Sequence, residues 1–309
     1  MKPTVTYIHE HLQALYPPEE IRCFVRLILA AVCGLSHQQQ ILGKDTKIPG
    51  NEKKQIYAIV DRLAKMEPLQ YILGETEFYS IPLKVNPSVL IPRPETEELA
   101  DLIIKLFLHE SHEFSRTARA DLQSVRPSIF NSRDGFHPSL LDIGTGSGCI
   151  SIALAKHIPN AVVTAIDISE AALQTASENA RQNNTTIRFI QADILDTAKT
   201  IALFPEKFDL IVSNPPYIME HEKASINANV LSYEPHSALF VPNDDPLLFY
   251  RTIADFALQK LTPQGILFLE INPLCNTSII DLLQKKGFSQ TEVLHDLYGK
   301  IRFISAKNS

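Results

Sequence analysis

No apolar run in this 309-residue chain approaches the roughly 20 residues that cross a bilayer as a helix. The opening MKPTVTYIHEHLQ has no apolar stretch followed by a small-residue cleavage site, so no secretory signal is expected. Cysteine is scarce. The four residues, Cys23, Cys33, Cys149 and Cys275, form no CxxC pair, which fits reduced thiols in a cytoplasmic protein rather than a disulfide framework. The histidine-rich stretches HEH (9–11) and HESHE (109–113) are not HExxH and lie in polar surroundings, so no metal centre is expected. Positive charge is not in surplus: the net charge of −6 argues against a surface built mainly to hold nucleic acid, although one local basic patch stays open. With 45% apolar and 21% charged residues, the chain has an ordinary globular composition and enough length for one large or two modest domains.

Residues 1–73 carry helical signals and no strand signal. EEIRCFVRLILAAVCGL (19–35) repeats apolar residues at helical spacing, with Pro17 and Pro18 at its start. EKKQIYAIVDRLAKM (52–66) is amphipathic, with Asn51 as the expected cap. A small helical bundle is predicted. From Gly74 the texture changes: alternation around Pro82 and Pro87 predicts two extended segments, a hairpin linker over 74–93. A helix then starts at Pro94 with Glu95, Glu97 and Glu98 in its first turn. Residues 111–138 are polar and without periodicity. They predict a flexible insert, with a basic arm for RNA as the functional alternative. From residue 140 a βα alternation follows, with strands at 140–144, 161–169, 186–194, 208–214 and 265–271 and a closing pair at 291–297 and 300–306 joined by Tyr298 and Gly299. Five strands of parallel type and an antiparallel pair make a doubly wound α/β sheet with a modified edge, in a domain spanning 94–309.

LLDIGTGSGCISIALAK (140–156) reads as strand, glycine loop, helix. Gly144, Gly146 and Gly148 allow a tight turn and let backbone N–H groups approach a ligand. The spacing is GxGxG rather than the dinucleotide GxGxxG, and no Lys-Ser/Thr follows, so it is not a P-loop. Asp167 ends the next strand, where a carboxylate can accept both hydroxyls of a ribose. Asp193 ends the third strand and can accept from an adenine amino group, with Ile194 beside it for the ring face. Either aspartate alone could equally be a turn or cap residue. This succession of strand ends resembles the class I S-adenosylmethionine-dependent methyltransferases, which implies that cofactor over strands one to three and the methyl acceptor beside strand four.

SNPPYIM (213–219) follows the strand KFDLIV, and its two prolines end that strand at its carboxyl end. A planar amide or aromatic amine is a poor nucleophile because its lone pair is delocalised. Acceptors for its N–H hydrogens favour a pyramidal, reactive nitrogen. The Asn214 side-chain oxygen and the Pro215 carbonyl are candidate acceptors, Pro216 stiffens the backbone, and Tyr217 can lie against the flat face of the acceptor. NPPY occurs in methyltransferases of nucleic-acid amino groups and of glutamine side chains.

PLQYILGETEFYSIPLKVNPSVLIPRPETEEL (68–99) resembles the linker of the release factor glutamine methyltransferases, the HemK/PrmC family. NPPYI (214–218), YEPHSALF (233–240) and DLYGKIRF (296–303) fit the same family. The resemblance implies a substrate-binding helical bundle, a hairpin linker and a class I methyltransferase domain with a seven-stranded sheet and an antiparallel edge strand. It further implies N5-methylation of the glutamine in the Gly-Gly-Gln loop of peptide chain release factors, by a monomer. Carried over, Gly144, Thr145, Gly146, Ser147, Gly148, Asp167, Asp193, Ile194 and Asn214 meet the cofactor, while Asn214, Pro215, Pro216 and Tyr217 hold the substrate glutamine. IPRPETE (91–97) lies near the site, and Glu234 and Pro235 shape the substrate loop unless Glu234 is a surface acid. Two departures stand out: the insert, and Asn272 in LEINP (269–273), where the family usually has glycine and asparagine would tolerate a left-handed backbone. A nucleic-acid amino methyltransferase and a non-catalytic cofactor-binding scaffold remain the alternatives.

Overall fold

The computed structural model describes residues 1–43, 46–108 and 136–308. Nearly all of the insert expected at 111–138 lies outside the described residues. The chain divides into two compact units, Met1–Glu75 with Ile226–Tyr233, and Thr76–Ser225 with Glu234–Ser309.

The first unit is helical, with helices Lys2–Leu12, Pro18–Cys33, His37–Leu42, Gly50–Leu63 and Leu69–Leu73. Their apolar stripes meet in a core of Ile8, Leu12, Ile28, Ile56, Val60 and Leu63, all fully buried. The second helix starts at Pro18 after the extended Pro17 and stops at Gly34, whose φ of 64° takes the left-handed conformation that ends helices. Asn51 is not the cap of the 52–66 helix. That helix begins at Gly50, capped by the extended Pro49, whose carbonyl accepts the Lys53 N–H. Ile226–Tyr233 had no helical-bundle signal of its own, yet it belongs to this unit, and the Tyr233 hydroxyl donates to the Lys65 carbonyl at 2.9 Å.

The second unit opens with a hairpin, β1 (Glu75–Phe78) and β2 (Ile81–Lys84), turned by Tyr79 and Ser80 with φ of 53° and 58°. These are the two left-handed residues of a type I′ turn. Pro87 falls beyond the hairpin, before the helix Pro94–Leu108. The main sheet contains β3 (Ser139–Ile143), β4 (Val162–Asp167), β5 (Ile187–Gln191), β6 (Phe208–Ser213), β9 (Leu261–Glu270), β10 (Gln290–His295) and β11 (Ile301–Lys307). Two short strands, β7 (Ile218–Met219) and β8 (Phe240–Val241), pair with each other outside it. The order is β10-β11-β9-β6-β3-β4-β5, with β11 antiparallel to both neighbours and the other pairs parallel. This is the class I methyltransferase arrangement.

The central strands read as unbroken apolar runs because helices cover both faces. Leu140, Leu210, Val212 and Phe268 point into one core, while Leu141, Ile211, Leu267 and Leu269 point into the other. β9 starts earlier than expected, and its register with β6 shifts between Phe208 and Leu210. The β10–β11 connection is wider than a two-residue turn: the Asp296 carboxylate accepts the Tyr298 and Lys300 N–H groups, and Gly299 adopts φ 76°. Chain order reverses between β3 and β6, so a crevice opens at their carboxyl ends, the place where such sheets bind ligands.

Asn179 joins the hairpin to that crevice. Fully buried, it accepts from the Lys84 N–H at 2.7 Å and donates to the Lys84 and Ser147 carbonyls at 3.0 and 2.9 Å. Asn179→Ala leaves all three backbone groups unpaired and should cost about 1–3 kcal/mol in denaturant unfolding. Lys84→Ala keeps the backbone pairing and loses only the exposed Lys84–Glu178 ion pair, so it should cost under about 1 kcal/mol. Equal losses would show that the hairpin is not held through Asn179.

Candidate active site

A cavity of about 510 Å³ fills the crevice, bounded by the glycine loop, the ends of β4 and β5, the NPP turn and the segment 88–96. The glycine loop is held from below. Its Gly144 and Thr145 N–H groups donate to the Ile166 carbonyl at 2.9 and 3.0 Å. Gly144 and Gly146 adopt φ of 75° and 55°, and a Cβ on either would meet no protein atom within 4 Å. The loop therefore needs glycine for its backbone conformation and leaves open space above it. Gly148 differs. It does not border the cavity, and a Cβ there would come within 3.1 Å of the Ala176 side chain. It permits close packing against the Ala176 side chain.

Beneath the loop lies Asp142, which sequence reading passed over. Its Oδ2 accepts from the Thr145 and Ser151 hydroxyls at 2.7 and 2.5 Å, and its Oδ1 has no hydrogen-bond partner among the described residues. Burial pushes this carboxyl up to about 6, against the pull of the two hydroxyls. Thr145 borders the cavity, but its hydroxyl is committed to Asp142. Cys149, at the start of the following helix, is pushed up to about 12 by burial and stays a neutral thiol.

Asp167 stands at the end of β4 beside the cavity. Its two oxygens accept from the Gly146 and Ser169 N–H groups, each at 2.9 Å. Burial raises its pKa against those bonds. A carboxylate has about four lone-pair sites, so accepting capacity for two more donors remains. Asp193 and the buried Ile194 border the same space. The Asp193 Oδ1 also accepts from the Leu195 N–H at 2.9 Å, so the turn role and a ligand role coexist. Gly144, Thr145, Gly146, Ser147, Asp167, Asp193, Ile194 and Asn214 are thus brought to one cavity.

Across the crevice, Asn214 donates from Nδ2 to the Thr96 hydroxyl at 3.0 Å. Thr96 donates to the Glu270 Oε2 at 2.7 Å, and the Tyr217 hydroxyl donates to the Glu270 Oε1 at 3.2 Å. Glu270 is buried, and its carboxyl is pushed up to about 7 by that burial. Pro215 and Pro216 border the cavity. Tyr217 does not: it packs into the core beneath, and its hydroxyl, raised by burial and the nearby Glu270, remains a donor. The Tyr217 side chain thus forms a strut beneath the turn. Asn272 also serves this strut. Its backbone is extended, with φ −70° and ψ 118°, so no left-handed tolerance is needed. Its Nδ2 donates to the Tyr217 carbonyl at 3.2 Å and to Glu222 at 3.1 Å.

Glu234 is no surface acid. It is buried, and accepts from the Ile91 N–H at 3.2 Å and the Arg93 guanidinium at 2.6 Å. IPRPETE is thereby fixed twice, by Arg93 on Glu234 and by Thr96 between Asn214 and Glu270. The Ile218 N–H donates to the Leu239 carbonyl at 2.9 Å, tying the exit of the NPPY turn to YEPHSALF through β7 and β8.

Residues 128–234 match the family described as Methyltransferase small domain, and residues 6–74 match the PrmC N-terminal domain. A release factor glutamine methyltransferase of Flavobacterium psychrophilum is 42% identical over 97% of this chain and 96% of its own length. The protein of that name from Bacteroides thetaiotaomicron is 39% identical over 99% of each chain. One from Lactococcus lactis is 39% identical over 84% of this chain and 85% of its own. Among the described residues no helix is long and apolar enough to cross a membrane. With a matching N-terminal domain, a matching catalytic domain and relatives aligned over almost its full length, this chain belongs to the release factor glutamine methyltransferase family.

Proposed function

We propose that this protein transfers a methyl group from S-adenosylmethionine to the side-chain amide nitrogen (N5) of the glutamine in the Gly-Gly-Gln loop of peptide chain release factors. The observation that carries this is the orientation of Asn214. Its Nδ2 is taken by Thr96, which leaves Oδ1 as an acceptor at a cavity bordered by the glycine loop.

The residues present fit the cofactor. Gly144 and Gly146 leave open space for it, Asp167 retains accepting capacity for a ribose diol, and Asp193 with Ile194 suits the adenine. S-adenosylmethionine supplies an electrophilic methyl carbon on a sulfonium. Asn214 Oδ1 and the Pro215 carbonyl accept the two N–H hydrogens of the glutamine amide, drawing its lone pair out of conjugation. Pro215 and Pro216 keep that carbonyl in place, and Tyr217 supports the turn from below through Glu270 and Asn272. No strong base is needed, because the proton leaves only after the nitrogen has become cationic. Positioning supplies much of the rate. The helical unit, Met1–Glu75 with Ile226–Tyr233, serves to recognise the body of the release factor.

With labelled S-adenosylmethionine, label should enter release factor and not DNA or RNA; label in nucleic acid alone would overturn the proposal. Asn214→Ala should lower the single-turnover rate by about 10²–10³ with cofactor affinity little changed. Asn214→Asp, which still accepts, should keep more activity than Ala. Parent rates in both would reduce Asn214 to a turn residue. Asp167→Ala should weaken cofactor binding by about 1.5–3 kcal/mol in calorimetry, and an unchanged affinity would remove Asp167 from the cofactor site.

A further inference from the structure

Asn214 can serve an amide substrate in only one of its two orientations. Turned the other way, its NH2 would face the N–H groups of the glutamine, donor against donor. The two orientations have almost the same shape, so packing does not choose between them. Hydrogen-bond polarity must.

We propose that Glu270 is a positioning residue: acting through the Thr96 hydroxyl, its carboxylate fixes which end of the Asn214 amide faces the substrate nitrogen. This rests on the assignment of Asn214 Oδ1 as the acceptor.

An ionised carboxylate has no hydrogen to give. The hydroxyls of Thr96, 2.7 Å from Oε2, and Tyr217, 3.2 Å from Oε1, must therefore both donate to it. A hydroxyl carries one hydrogen. Once Thr96 has given its hydrogen to Glu270, it can only accept from Asn214, so the 3.0 Å contact is Nδ2–H to Oγ1 and Oδ1 is left for the substrate. Two bonds in series, Thr96 to Glu270 and Asn214 to Thr96, carry one polarity from β9 to the catalytic turn. If position 270 instead donates, Thr96 can accept from it and give its own hydrogen to the Asn214 oxygen. Every buried group is then still satisfied, but the amide faces the wrong way. Thr96 and Glu270 are both buried, which limits the competition of bulk water for these bonds.

Protonation of Glu270 would have the same effect as a donating side chain. Burial and Glu95 raise its pKa, while Thr96, Tyr217 and Arg302 lower it, to a balance of about 7. Arg302 itself lies 3.6 Å from Glu95 and 3.5 Å from Asp296. The other nearby titratable groups, Tyr250 and Cys149, are held neutral by burial. The competent, ionised form therefore gains population as pH rises through about 7 and loses it below.

Glu270→Gln keeps the shape and can donate from Nε2. Thr96→Val removes the hydroxyl, and Thr96→Ser restores it. In single-turnover methylation of release factor with cofactor saturating, the Gln and Val variants should lose at least about tenfold in rate, and the Ser variant should stay near the parent. Cofactor affinity should be unchanged in all three. The parent rate should rise with pH through about 7, and that limb should vanish in Glu270→Gln. A second readout needs no turnover: with asparagine labelled by nitrogen-15, the Asn214 NH2 protons should show contacts to Thr96 in the parent and lose them in Glu270→Gln. Parent-like rates in Glu270→Gln and Thr96→Val, or an Asn214 amide whose contacts do not change, would overturn the relay. If the parent itself fails to methylate release factor, the assigned reaction is wrong, and the amide contacts still decide the relay.

Discussion

A buried acid organises the wall of the cavity that carries Asn214. Glu270 sits at the end of the longest strand and gathers the first turn of the Pro94–Leu108 helix through Thr96 and the NPPY turn through Tyr217. A carboxyl in such a place carries a desolvation cost that only hydrogen bonds offset. The bonds that offset it are the ones that hold Asn214 and stiffen the turn. Glu234 repeats the device a short distance away, fastening Ile91 and Arg93. Beneath the glycine loop, Asp142 does so a third time with Thr145 and Ser151. Each carboxyl converts a loop that would otherwise wander into a fixed wall of the cavity. That matters where rate depends on holding a weak nucleophile in one geometry.

Much of the architecture was legible because its signals are local. Central strands such as LLDI and FDLIV are runs of apolar residues buried on both faces, and the helices between them keep helical spacing. The glycine loop and NPP turn announce themselves through backbone chemistry that few other residues can supply. Asp167, Asp193 and Asn214 were visible as polar residues ending apolar strands, and the structure brings all three to one cavity. Local signals also misled. Asn51 looked like a cap, but Pro49 already supplies the extended conformation and free carbonyl that the helix start needs. Gly148 resembles its two neighbours in sequence, yet an added Cβ there would meet Ala176 where theirs would meet open space.

The least legible features are long-range pairings. Thr96 and Glu270 are 174 residues apart, and Ile91 and Glu234 are 143 apart. Nothing in RPETEEL distinguishes a buried threonine from the exposed residues of a first helical turn. GILFLEI did carry a hint, since a single acid closing a strand buried on both faces needs a partner. Tyr217 shows the same difficulty: an aromatic ring at a ligand-binding turn suggests stacking, whereas its hydroxyl is drawn down to Glu270 and its carbonyl to Asn272.

The proposed chemistry turns on one geometric relation: the Asn214 oxygen, and not its nitrogen, must face the nitrogen to be methylated. A structure of the complex with S-adenosylhomocysteine and a Gly-Gly-Gln peptide tests it most directly. The glutamine side-chain nitrogen should lie within about 2.7–3.2 Å of both Asn214 Oδ1 and the Pro215 carbonyl, with Asn214 Nδ2 still on Thr96. A glutamine nitrogen bound elsewhere, or an Asn214 side chain with its NH2 toward the substrate, would contradict it.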